Sequence, residues 1–197
     1  MRRLILGGTF NPIHHGHLIC SRSVAETLGY DRVTLVPAAS PPHKLQPATL
    51  ADSAHRLAMT RAAVAGEALF NVDDLELART GPSYTFDTAR QLFDRGEGPV
   101  DWLIGADMLM YLPNWHRAVE LLSEVKFIIM ARPGWSLDWK SLPPAFRQLE
   151  SHVVQAPSVD IRATDIRLRV SQGKPIRFLT PDSVCKYICE NSLYKNE

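Results

Sequence analysis

What the sequence lacks narrows the field first. It has only three cysteines, Cys20, Cys185 and Cys189, an odd number without repeated spacing, which argues against a disulfide framework. Cys185 and Cys189 stand four apart on an expected helix and could share a face. A zinc site would need two further ligands nearby and none is evident, so buried structural cysteines are expected. Charge of one sign is missing too. With 22 Lys and Arg against 21 Asp and Glu, a formal net charge of +1 gives no global field to attract nucleic acid or an anionic membrane. A polyanion, if one binds, must be held by local residues. Apolar runs such as 127–131 are far too short to span a bilayer. The apolar start at Leu4-Ile5-Leu6 stops at Gly7-Gly8, and Asn11-Pro12 and three histidines follow. No signal-peptide core forms there, so a cytoplasmic protein is expected. The sequence also has no internal repeat, low-complexity tract or linker.

What is present reads as one α/β domain over residues 1–197. That length allows a full core, and 45% hydrophobic residues are ordinary for a globular protein. Short β-rich apolar runs predict strands over 3–6, 32–37, 69–72, 101–104, 126–131 and 152–155. Helices are expected near 16–28, 52–65, 84–94, 118–124 and 144–149, then after Thr164 and over 181–190. The first, fourth and fifth strands are nearly all apolar, as parallel strands buried on both faces are. The alternation predicts a Rossmann-like, doubly wound parallel sheet with right-handed crossovers and helices on both faces. In such sheets ligands bind beyond the C-terminal strand ends at the switch point, which directs attention to the loops after the first and fourth strands.

The first loop reads Gly7-Gly8-Thr9-Phe10-Asn11-Pro12-Ile13-His14-His15-Gly16-His17. Its glycines permit close backbone approach to a ligand, and the helix starting near Gly16 turns free N–H groups toward the loop. His14 and His17, three apart, can donate to one oxyanion. Three crowded histidines with no adjacent cysteine or carboxylate make a poor zinc site, and G-x-G-x-x-G is absent. His14-x-Gly16-His17, preceded by this glycine-rich turn, resembles the signature of the nucleotidylyltransferase superfamily. The resemblance implies that Gly8, Thr9, Phe10, His14 and His17 bind ATP, the two histidines stabilising charge at the reacting α-phosphorus.

Five further segments resemble the nicotinate-nucleotide branch of that superfamily. Pro41-Pro42-His43-Lys44 follows the second strand, and Lys44 offers a point charge to phosphate. Ser83-Tyr84-Thr85-Phe86-Asp87-Thr88 opens a helix, with Ser83 or Asp87 as its expected cap. Gly105-Ala106-Asp107 ends the fourth strand ahead of Leu112, Trp115 and His116, and Arg132-Pro133-Gly134 follows the fifth. Ile161-Arg162-Ala163-Thr164-Asp165-Ile166-Arg167 matches I-S-S-T-x-I-R at Ile161, Thr164, Ile166 and Arg167, but Arg162 and Ala163 replace both serines. By resemblance, Asn11, Lys44, Ser83, Tyr84, Thr85, Trp115 and Arg132 meet nicotinate mononucleotide, Trp115 by stacking. Gly105, Asp107, Ile161, Thr164 and Arg167 meet ATP, with a phosphate-gripping segment from about 157 onward, and His14, His17, Lys44 and Arg167 carry catalysis. Read as residues alone, Trp115 could equally be core, and Arg162 could face phosphate or solvent.

The implied reaction is attack by the phosphate of nicotinate mononucleotide on the α-phosphorus of ATP, part of NAD biosynthesis. A phosphate nucleophile needs no general base, so alignment and charge stabilisation supply the catalysis. Magnesium is expected to arrive with ATP, held by phosphate oxygens and water, with no metal ligands from the chain. The implied partners are these two nucleotides, without nucleic acid or membrane, and self-association is left open. A phosphopantetheine adenylyltransferase or a cytidylyltransferase would share the first loop. The former should lack the 83–88 and 105–115 strings, and the latter would read another base. A non-catalytic nucleotide sensor would have less reason to keep His14, His17, Lys44 and Arg167 together.

Overall fold

The computed structural model describes residues 2–42 and 49–195. Six strands, β1 (Arg3–Gly8), β2 (Arg32–Pro37), β3 (Phe70–Val72), β4 (Val100–Gly105), β5 (Val125–Ala131) and β6 (Val153–Gln155), form one sheet. Their order is β3-β2-β1-β4-β5-β6 and every neighbouring pair is parallel. The chain therefore winds outward from β1 to β3, returns to β4 and winds outward again, which puts the switch point between β1 and β4.

Alternation along the central strands builds two cores. Leu4, Leu6, Val33, Leu35, Leu103 and Ile128 face one side, where α1 (His15–Leu28), α2 (Ser53–Ala63), α6 (Ala163–Ser171) and α7 (Asp182–Glu190) cover them. Ile5, Val36, Trp102, Ile104, Phe127 and Ile129 face the other, under α3 (Thr85–Asp94) and α5 (Ala118–Glu124). Apolar side chains on both faces leave these strands nowhere else to go. The expected doubly wound α/β architecture is the observed one.

Differences lie in the details. The helix expected at 144–149 is a 3₁₀ segment, Pro144–His152, whose Phe146 and Leu149 are buried. A four-residue helix, α4 (Ala106–Leu109), follows β4 directly and is too short to leave a periodic signal. The cysteines are free but not all buried: Cys20 and Cys185 are half-buried, and Cys189 is exposed on the outer side of α7. No helix among the described residues is long and apolar enough to cross a membrane.

Candidate active site

The loop after β1 is shaped by its own aromatic residue. Phe10 has φ 45°, a left-handed conformation that costs a bulky side chain about 1–3 kcal/mol. In return its buried ring packs over Gly8 and meets the His17 ring edge-on at 5.2 Å. A Cβ at Gly8 would lie 2.7 Å from the Phe10 ring, and one at Gly7 would lie 2.9 Å from Trp102. Those glycines are thus required by packing inside the protein as well as by access to the cavity.

His14 is the N-cap of α1 and its ring stacks on that of His17, with centroids 3.7 Å apart. The His14 backbone N–H donates to His17 Nδ1 at 3.3 Å, so in neutral His17 the ring proton sits on Nε2. His14 Nδ1 has no hydrogen-bond partner among the described residues, although the residue is only 7% exposed. Burial, and after it the neighbouring His15, pushes the His14 pKa down to about 4. At neutral pH His14 is therefore an uncharged imidazole, offering one N–H donor to a phosphate oxygen.

Opposite the histidines stands the start of α3. No side chain caps this helix, contrary to the expectation for Ser83 or Asp87. The Ser83 hydroxyl instead accepts from Ser40 N at 3.1 Å, while Ser83 N donates to Ser40 O at 2.8 Å, joining α3 to the loop after β2. The first N–H groups of α3 remain available to an anion, as at any uncapped helix N-terminus. Tyr84 stacks on His116 with ring centroids 4.4 Å apart.

Together these elements wall a cavity of about 990 Å³ at the C-terminal end of the sheet, across the switch point. That is ample for a dinucleotide-sized ligand. Of the residues singled out in the sequence, Gly8, Thr9, His14, His17, Ser83, Tyr84, Thr85, Gly105, Asp107, Trp115, Arg132 and Ile161 line it. Trp115 combines both of its readings: it lines the cavity and packs edge-on against Phe127 at 6.3 Å. Arg162 also lines the cavity, and Asp160 joins it at 3.5 Å to Arg132 at 3.7 Å. A separate hollow of about 460 Å³ beside α1 and α2 contains neither His14 nor His17.

Other expected site residues turn elsewhere. Asn11 is 5% exposed and its side chain is engaged inside the protein. It accepts from Ala51 N at 3.1 Å and from the Tyr194 hydroxyl at 2.7 Å, and donates to Thr49 O at 2.8 Å. Phe10 is core, and Arg167 donates to the Asn11 carbonyl at 2.9 Å. Phe10, Asn11, Thr164 and Arg167 are not among the described residues lining the cavity. Lys44, with His43, lies outside the described residues.

Two buried charged residues escaped the sequence reading. Glu76, 4% exposed, reaches the cavity wall and accepts from Thr88 Oγ1 at 2.5 Å. Arg79 stands 3.7 Å from it and also donates to Thr88 Oγ1 and the Tyr84 carbonyl. Burial raises the Glu76 pKa, opposed by hydrogen bonds from Thr88 and Ser83. Arg56 lies behind the loops after β1 and β2. Both occur in stretches that read as ordinary helix or turn, where a charged residue is normally solvated.

The cytidylyltransferase-like family model matches residues 5–169. A Roseiflexus sp. (strain RS-1) protein named as a probable nicotinate-nucleotide adenylyltransferase is 41% identical over 193 residues, spanning 97% of this chain and 96% of its own. A protein of the same name from Geobacillus thermodenitrificans (strain NG80-2) is 42% identical over 193 residues, spanning 96% of this chain and 84% of its own. Among solved structures, the Plasmodium falciparum nicotinic acid mononucleotide adenylyltransferase complexed with NaAD is similar in fold, with a TM-score of 0.76 at 18% identity. That similarity covers 100% of this chain and 99% of the other.

Proposed function

This chain belongs to the cytidylyltransferase-like family, among its nicotinate-nucleotide adenylyltransferases, and on that footing we propose that it transfers the adenylyl group of ATP to nicotinate mononucleotide. The products are nicotinate adenine dinucleotide and pyrophosphate, and the setting is NAD biosynthesis. The observation that carries this reading is the pairing of two unlike ends in one cavity. A stacked histidine pair stands at one side, and an uncapped helix start with aromatic neighbours stands at the other.

In the proposed step a phosphate oxygen of nicotinate mononucleotide attacks the α-phosphorus of ATP in line. The bond from that phosphorus to the bridging oxygen breaks, and pyrophosphate departs with the electron pair. A phosphate monoester is already deprotonated near neutral pH, so no base is needed and preorganised donors supply most of the catalysis. His14 and His17 are assigned to the α-phosphate. Arg132 and Arg162 reach the cavity as exposed cations and suit phosphate oxygens. Lys44, Thr164 and Arg167 are assigned to phosphates by their motifs alone. The start of α3 and the Trp115 ring are assigned to the nicotinate. Its carboxylate suits free helix N–H groups better than an amide, which brings its own donors. Magnesium is assigned to the incoming ATP, held by phosphate oxygens and water.

The test is pyrophosphate release by purified protein with magnesium, ATP and nicotinate mononucleotide, set against nicotinamide mononucleotide and 4′-phosphopantetheine. Turnover should be fastest with the nicotinate compound. Faster turnover of 4′-phosphopantetheine would overturn the assignment.

A further inference from the structure

Arg56 is 1% exposed, and among the described residues its guanidinium meets only neutral acceptors at hydrogen-bond distance. Burying a cation this way is costly unless its donors are used, and here they bind three separate segments. Nε donates to the Ala51 carbonyl at 2.9 Å, on the approach to α2. Nη1 donates to Thr9 O at 2.8 Å and to Ala38 O at 2.5 Å, and Nη2 donates to Ala39 O at 3.0 Å. Thr9 and Ala38 are themselves cavity-wall residues, carried on the loops that leave β1 and β2. The guanidinium thus lies directly behind the wall and binds both loops at once.

We propose that Arg56 is a positioning residue for adenylyl transfer, setting the loop that carries Phe10 and His14 against the loop that carries Ser40. The inference rests on the proposed function, since it concerns the rate of that reaction. Its mechanical basis is the planar fork of donors. A lysine offers three donors from a single nitrogen and cannot serve carbonyls spread along two loops. Beyond Thr9 the chain passes at once into the left-handed Phe10, a conformation that lasts only where the surroundings over-determine it. Ala38 N also donates to Gly8 O at 2.9 Å, and Ser40 is paired with Ser83. One buried side chain therefore connects the histidine loop, the loop after β2 and, through Ser40, the start of α3. A misplaced loop would leave substrate binding partly intact while spoiling the alignment of reacting atoms, and such misplacement costs up to roughly a hundredfold in rate.

The experiment measures kcat and both KM values for the parent, Arg56→Lys, Arg56→Ala and Arg61→Ala, each well below its melting temperature. Arg61, exposed on the same helix and paired with Asp74, serves as the control with parent-like kinetics. Parent turnover is established first, so an inactive parent defeats the proposed function and an unaffected variant of an active parent defeats only this inference. Folded Arg56→Lys should lose kcat by roughly ten- to hundredfold, with the KM for nicotinate mononucleotide changed much less. Arg56→Ala should be weaker still and recover saturably with added ethylguanidinium but not with ethylammonium. Parent-like kcat in folded Arg56→Lys would overturn the proposal. So would Arg56→Ala that fails to recover with ethylguanidinium, or failure of both variants to fold with or without it, which would leave Arg56 a core residue.

Discussion

His14 joins the chemistry of the site to the stability of the fold. Its folded pKa of about 4 lies below the ordinary value of 6.5, so between those limits the unfolded chain binds a proton that the folded protein does not. Stability then rises with pH across that window, and the contribution is lost as pH falls from about 6.5 toward 4. Urea midpoints measured from pH 7 to pH 4 should decline, and His14→Asn should flatten the decline. Equal slopes in both proteins would contradict this. For turnover, the loss of one preorganised donor typically costs about 10²–10³ in rate, so folded His17→Ala should fall by that much with its circular dichroism unchanged. The histidine pair was legible in the sequence because its spacing and the preceding glycines are local features. The inward turn of Asn11 was not, because its partner Tyr194 lies 183 residues further along the chain.

At the scale of elements, α3 illustrates how a helix start can be held without a cap. Glu76 accepts from Thr88, and Arg79 binds the Tyr84 carbonyl and Thr88, so the first turn is anchored from beneath. Its N–H groups stay open toward the cavity. Glu76→Gln keeps the shape but removes the charge facing Arg79, and a disturbed buried hydrogen-bond partner costs about 1–3 kcal/mol. The melting temperature should fall. The KM for nicotinate mononucleotide should rise several-fold, with the KM for ATP within about twofold, because the histidine end does not depend on this anchor. Equal rises in both constants would place Glu76 in a general structural role. The start of α6 likewise has no side-chain cap, and its exposed Arg162 stands beside Asp160, which also approaches Arg132.

For the whole molecule, the cavity lies where the two windings of the sheet diverge, and its walls come from both sides. Ligand seated there draws on the histidine loop, the β4 end and the α3 start together. Magnesium with ATP should therefore stabilise the entire cooperative unit, by about 2.7 kcal/mol at a ligand concentration near 100 times Kd. The shift in urea midpoint on adding ATP measures it. An unchanged midpoint at saturating ATP would remove the nucleotide from this cavity.

The sequence by itself determined where the six strands lie along the chain, the doubly wound parallel α/β class and the loop where phosphate chemistry would be sought. These follow from short-range causes: the alternation of apolar residues, the reach of a histidine pair three apart, and the turn chemistry of Gly7-Gly8 and Pro12. Tertiary structure alone decided which polar groups were left for a ligand. Phe10 and Asn11 sit inside the most recognisable motif, yet the fold assigns their side chains to the interior. Arg56 and Glu76 sit in unremarkable stretches, yet the fold buries them behind and beside the cavity. A buried donor or acceptor must find a partner, and that partner is fixed by packing between distant segments, 47 residues apart for Arg56 and Thr9, which local pattern does not carry.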